Sequence, residues 1–292
     1  MPARFVALCI SAAALSVGAQ EPSHQWGLVP VNGSELYYEQ AGSGPVVVLI
    51  HGGWLNSRQW DEQIQRFSKS YRVIRYDCRG YGRSPMGDST YASYEDLAAL
   101  LKHLDVQRAN IIGVSQGAQV AIDFAEHYPE AVQSLLLGAS PLSGFDMGKE
   151  FTNGMLGVIS AGASDDLELT HARIWAFAPF RAASRMPEVR KWIDDMMLRE
   201  YDWAHGRPSS PRARHLDPPP AARLREIRAP TLVVVGDSDM TALVKEAEFV
   251  HTSISQSSIV RISGAGHFPN IERPKEFDRI ALDWLKRVSG SR

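Results

Sequence analysis

Two rhythms of apolar and polar positions run along this chain. Gly27 to Val31 and Glu35 to Glu39 read as strands, and Asn32-Gly33 between them is the dipeptide of a type I′ hairpin turn. Val46 to Ile50 is a continuous apolar run, the pattern of a strand covered on both faces in a parallel sheet. Ser57 to Lys69 then takes helical spacing, with Trp60, Ile64 and Phe67 on one face and Ser57 as the expected N-cap. Tyr71 to Tyr76 is the next strand. Ser93 to Leu104 is an amphipathic helix with Leu97, Leu100, Leu101 and Leu104 inward. The run ending at Val114, a helix from Ala118 to His127 and a strand from Val132 to Leu137 continue the alternation. After a gap it resumes at Thr231 to Val235, Leu243 to His251, Ser258 to Ile262 and Glu276 to Val288.

Such alternation predicts an α/β fold: a mostly parallel sheet of eight strands, opened by an antiparallel hairpin, with helices on both faces. From about Leu142 to Asp217 no strand pattern appears. Helix-like stretches carry Trp175, Phe177, Phe180, Trp192, Ile193, Met196 and Met197, and a Pro-rich exit includes Pro208, Pro211 and Pro218. This segment is expected to be a helical cap inserted between the sixth and seventh strands. Its aromatic and methionine side chains suit the cap's own core, or a partly apolar pocket beneath it. The expected organisation is a signal peptide over 1–19, core over 20–141, cap over 142–217 and core again over 218–292.

The first residues carry the signal-peptide expectation. Met1 to Arg4 is short and positive, Phe5 to Val17 is apolar but too short to span a bilayer, and Val17-Gly18-Ala19 supplies small residues before a cut near Gln20. The mature chain is then expected in the periplasm or the medium, with no stable membrane anchor. The 292 residues are 44% hydrophobic and 22% charged with a net charge of −2, so no basic excess points to nucleic acid. Cys9 lies within the signal, leaving Cys78 alone and unable to form an internal disulfide. Cys78 follows a strand and is expected to be a buried, inert thiol.

The chemistry centres on Ile111 to Gly117, an apolar run ending in G-x-S-x-G and followed by a helix. This is the pattern of a nucleophile elbow, a sharp turn that presents Ser115 while Gly113 and Gly117 leave room for it. A serine hydroxyl needs a base, and the base needs an orienting acid. His267 follows the last strand in the Gly-rich loop Gly264-Ala265-Gly266, where side chains reach the carboxyl edge of the sheet. Apart from His51, the other histidines lie on helix patterns, in the cap or in the lead-in. Asp237 and Asp239, after the strand Thr231 to Val235, compete for the acid role. His51-Gly52-Gly53-Trp54 ends a strand with glycines and is the candidate oxyanion loop. Gly53 is the expected first N–H donor and Gln116, at the start of the helix, the second. Trp54 is expected to line the pocket beside it, and His51 to brace nearby loops. Asp77-x-Arg79-Gly80-x-Gly82-x-Ser84 lacks the lysine and spacing of a phosphate loop and reads as a tight turn with an Arg–Asp pair. H-E-x-x-H is absent, and no cluster has metal-ligand spacing.

Taken together, the H-G-G-W loop, D-x-R-G-x-G-x-S, G-V-S-Q-G, G-D-S-D and G-A-G-H resemble the α/β-hydrolase superfamily from about Gly27 to Val288, the cap excepted. The resemblance implies nucleophile, acid and base at Ser115, Asp239 and His267, and oxyanion donors at Gly53 and Gln116. The second aspartate of the G-D-x-D pattern is the one the family uses. The segments around H-G-G-W and R-Y-D-C-R-G-Y-G-R-S are most similar to the esterase, cofactor-free haloperoxidase and enol-lactonase branch. Serine at the elbow argues against the epoxide hydrolase and haloalkane dehalogenase branches. The resemblance therefore implies a serine hydrolase of small-molecule esters or lactones, working without cofactor or metal, and the signal-peptide pattern adds the expectation that it is exported. The alternatives are C–C bond hydrolysis or perhydrolysis on the same triad, or a low-turnover ligand-binding protein of the same fold.

Overall fold

A computed structural model describes residues 24–164, 166–200, 213–214 and 216–289. The signal-peptide expectation and the exit prolines Pro208 and Pro211 lie outside them. Eight strands form one sheet: β1 Gln25–Val31, β2 Ser34–Ala41, β3 Val46–Ile50, β4 Arg72–Tyr76, β5 Ala109–Val114, β6 Val132–Gly138, β7 Thr231–Gly236 and β8 Ser257–Ile262. Their order is β1-β2-β4-β3-β5-β6-β7-β8. Pairing is antiparallel from β1 to β2 and from β2 to β4, and parallel elsewhere. Asn32 and Gly33 both take positive φ (36° and 80°), as the tight hairpin turn requires. Every residue of β5 and β7 is buried, which is why these strands read as unbroken apolar runs.

Helices α1 Asp61–Phe67, α2 Ser93–His103 and α3 Gln116–His127 connect the first strands. Three more, α4 Gly148–Ala163, α5 Leu167–Ala176 and α6 Pro187–Glu200, lie between β6 and β7 as the cap. Next come α7 Thr241–Ser253, the single turn α8 Pro269–Glu272, and α9 Pro274–Ser289. Trp60 packs on Phe277 of α9 at 6.1 Å between ring centroids, and Ile64 and Phe67 are buried beside it. The helix begins differently from expectation. Asn56 is the cap: its Oδ1 accepts from the Arg58 N–H at 2.9 Å and starts a 3-10 turn, Ser57–Trp60, ahead of α1. Ser57 is committed elsewhere, its N–H donating to Asp77 at 2.7 Å.

The glycine-rich loop after β4 holds an Arg–Asp pair, but the acid comes from α2. Arg79 Nε and Nη2 each donate to Asp96 at 2.8 Å, both side chains are essentially unexposed, and Arg79 also reaches the carbonyls of Val31, Asn32 and Met86. Asp77 accepts from the backbone N–H of Ser57 and of Arg83. One guanidinium thus joins hairpin, loop and α2. Removing one partner of such a buried pair typically costs about 3–5 kcal/mol. Cys78 is buried, and burial pushes its thiol far above the usual range, so it is inert.

Candidate active site

β5 ends at Val114 and α3 begins at Gln116, so the whole reversal falls on Ser115, whose φ of 55° and ψ of −124° are strained for a non-glycine residue. The turn survives because its flanks have no side chains. A Cβ at Gly113 would lie 2.3 Å from the Gly117 carbonyl oxygen, and one at Gly117 would lie 2.2 Å from that of Ile50. The Ser115 N–H donates to Gly138 O at 2.7 Å, tying the apex to β6.

Three side chains from three strand ends meet at this point. His267 Nε2 lies 2.8 Å from Ser115 Oγ, and His267 Nδ1 lies 3.0 Å from Asp239 Oδ2. A carboxylate only accepts, so Nδ1 carries the proton and Nε2 is left to receive one from the hydroxyl. Asp239 is fully enclosed and His267 nearly so, which keeps bulk water from loosening the pair. Asp237 is engaged differently: it accepts from the Gly264 N–H at 2.8 Å and the Ser263 hydroxyl at 2.9 Å, and the Gly264 bond leads in holding its carboxyl below the usual range. It shapes the turn that carries His267.

The histidine loop has a second support with no counterpart among the sequence expectations. Buried Glu272, at the end of α8, accepts from the Gly266 N–H at 2.5 Å and the Phe268 N–H at 3.0 Å, the two amides that bracket His267. Burial raises its carboxyl above the usual range, and the two N–H bonds oppose that rise. The only sequence signal is one acid directly after the largely apolar stretch from Phe268 to Ile271.

The loop after β3 meets the elbow from the other side. His51 is a brace: Nδ1 donates to Gly52 O at 2.8 Å, Nε2 accepts from the Cys78 N–H at 2.9 Å, and burial lowers its pKa so that it stays neutral. The Gly52 N–H is used by Gln59 at 2.7 Å. Among the described residues no partner takes the N–H of Gly53 or Gln116, and both residues line the cavity in front of Ser115. A Cβ at Gly53 would come within 2.9 Å of Gln116 Oε1, the tip of a side chain on the facing helix. Tyr81 fixes that amide by donating its hydroxyl to Gln116 Oε1 at 2.7 Å, another contact the sequence does not announce. The arrangement sets a hydroxyl, a base and an acid in one hydrogen-bonded line, with Gly53 and Gln116 lining the cavity beside them.

The cavity measures about 640 Å³. Trp54 lines it, with φ of 62°, and packs against cap residues Phe177 and Phe180 at 6.1 and 5.9 Å. Met155 and Val158 of α4 add to the wall. Ile193, Met196 and Met197 are buried but do not face the cavity, so the cap aromatics and methionines divide between cap core and pocket. Among the described residues no group of three or more His, Cys, Asp and Glu side chains could hold a metal, and no helix is long and apolar enough to cross a membrane.

Residues 47–280 match the model of the alpha/beta hydrolase family. The human serine hydrolase BPHL is 26% identical, with 88% of this chain and 85% of that one covered. A thermophilic esterase from Thermogutta terrifontis is similar in structure, with a TM-score of 0.74 and 26% identity over 90% of this chain and 99% of that one. So is Est816, described as an N-acyl homoserine lactone degrading enzyme, with a TM-score of 0.72 and 26% identity over 88% of this chain and 99% of that one. With an eight-stranded, mostly parallel sheet and a hydrolase's arrangement at its carboxyl edge, the chain belongs to the alpha/beta hydrolase family and is a hydrolase.

Proposed function

We propose that this hydrolase cleaves a carboxylic ester or lactone through an acyl-enzyme on Ser115. The observation that carries the reading is the continuous hydrogen-bonded line from Asp239 through His267 to Ser115 Oγ, at 3.0 and 2.8 Å, at the wall of a cavity. His267 takes the hydroxyl proton as Ser115 attacks, Asp239 stabilises the imidazolium, and the N–H groups of Gly53 and Gln116 receive the developing oxyanion. His267 then returns the proton to the leaving alkoxide. Water, activated by the same histidine, releases the acid and restores Ser115. The esterase and the lactone-degrading enzyme among the similar structures support this acyl chemistry. We further propose export with cleavage near Gln20, supported by the charge and apolar pattern of Met1 to Ala19; a secreted product still starting at Met1 by mass spectrometry would refute it.

Initial rates of the purified protein on p-nitrophenyl esters from acetate to palmitate, with Ser115→Ala alongside, test the mechanism. The variant is expected to lose at least about 1,000-fold in kcat. Wild-type turnover in Ser115→Ala would overturn the nucleophile assignment, and the preferred chain length would measure the apolar part of the cavity.

A further inference from the structure

One wall of the cavity is a single face of α3. Gln116, Gln119, Val120 and Asp123 all line it, at the i, i+3, i+4, i+7 spacing of one helical stripe. The stripe starts beside Ser115 and ends about 10 Å further along the helix axis at Asp123. The Asp123 carboxyl takes part in no hydrogen bond among the described residues, and its Oδ1 is wholly enclosed. Behind it, the Glu126 side chain has no exposure and no hydrogen bond among the described residues; its nearest cation there is Arg223, at 3.9 Å. Burial first, and then Glu126, push the Asp123 carboxyl up to about 8. An enclosed, unpaired carboxyl is costly, and a cavity wall is where such a group has a use.

Among the described residues, the groups around it supply no resident cation. Tyr94 of α2 faces the same cavity, stacked on His127. Arg214 also lines the cavity but donates to Glu95, and Arg223 is held by Glu226 at 3.0 Å. Met147, Phe151 and Met155, on or next to α4, give the same cavity apolar lining.

We propose that Asp123 is the specificity-determining residue of a cation subsite, selecting esters or lactones whose acyl chain carries an ammonium group about six bonds from the scissile carbonyl, a reach that matches the helical stripe. The inference rests on Ser115 being the point of attack. Entry of the cation ionises Asp123, and the displaced proton leaves to solvent. The apolar spacer lies against the α4 side of the cavity while the cation meets the carboxylate at the end of the α3 stripe.

The test uses two p-nitrophenyl esters of equal shape, 6-(trimethylammonio)hexanoate and 7,7-dimethyloctanoate. The quantity read is the ratio of kcat/KM for the charged ester over the neutral one. Asp123→Asn, close to isosteric, is expected to lower that ratio at least about tenfold. In the wild type the ratio should rise between pH 7 and pH 9, and in the variant it should be flat. The pH arm needs no variant, so it holds even if Asp123→Asn folds poorly. A ratio unchanged by the substitution, or flat with pH in the wild type, overturns the subsite. The Kd ratio of the same esters on Ser115→Ala, by calorimetry, separates the two readings. If neither ester is turned over the ester-cleaving reading fails, and a Kd ratio favouring the charged ester still supports Asp123.

Discussion

Glu272→Gln tests whether His267 is held in place by its own backbone. Glu272 grips the amides on both sides of the histidine, at 2.5 and 3.0 Å, from a buried position. Glutamine keeps the shape and offers one oxygen and one NH2, so one amide keeps its acceptor and the other faces a second donor. A lost charge-assisted bond is worth about 1.5–3 kcal/mol, and the orphaned N–H adds to that. The expected loss of stability is therefore about 2–4 kcal/mol, read by urea unfolding. The kinetic effect is separate. A displacement approaching 1 Å in a reacting group costs on the order of 100-fold, so kcat should fall about 10- to 100-fold with a smaller change in KM, because the α3 and α4 walls of the cavity are untouched. Rates on one good ester, beside unfolding curves for both proteins, decide it. A variant that loses stability while keeping wild-type kcat would mean that Glu272 anchors α8 and has no part in aiming His267.

Asp239→Asn should lower kcat by about 10,000-fold through the wrong imidazole tautomer, whereas Asp237→Asn should cost less than about tenfold, since Asp237 holds only the Gly264 turn; the reverse ranking in initial rates would exchange their roles. Glu246, fully buried on α7, has its carboxyl pushed up to about 9 by burial from an ordinary value of 4.5. The folded chain therefore holds a proton that the unfolded chain releases above pH 4.5, and this group's contribution to stability declines as pH rises through that window. Compared with Glu246→Gln, the wild type should lose about 3 kcal/mol between about pH 4.5 and pH 7 in urea unfolding; a constant gap would mean that the carboxyl ionises normally in the fold.

The strands and the elbow are legible in the sequence because their causes are local. An apolar run such as Val46 to Ile50 reports burial on both faces, and glycines at 113 and 117 report a turn with no room for a Cβ. The order of Ser115, Asp239 and His267 is readable too, because each comes after a strand end and parallel strands bring those ends to one edge. The choice between Asp237 and Asp239 is not readable from the residues themselves. Both leave β7 within three residues, and what separates them is that the end of β8 presents the Gly264 N–H to the first and His267 to the second.

The same reasoning explains the other silences. Ser57 has the chemistry of an N-cap, but the turn begins one residue earlier than the pattern suggests: Ser57 is its first residue, its N–H tied to Asp77, and the extended Asn56 before it does the capping. Arg79 announces a partner without naming it, since Asp96 reaches it only after α2 has folded against the hairpin. Glu272 and Asp123 carry no signal of their role, because one acid among apolar neighbours looks alike whether it clamps a loop, faces a ligand or meets water. Hydrophobic pattern tells which way a side chain points, while polar function depends on what arrives opposite it, and that is decided by long-range packing. Asp123 is the sharpest instance. Its helical stripe can be read from the chain, but only the fold reveals that the stripe faces the same cavity as Ser115 and that, among the described residues, no protein cation meets its last member.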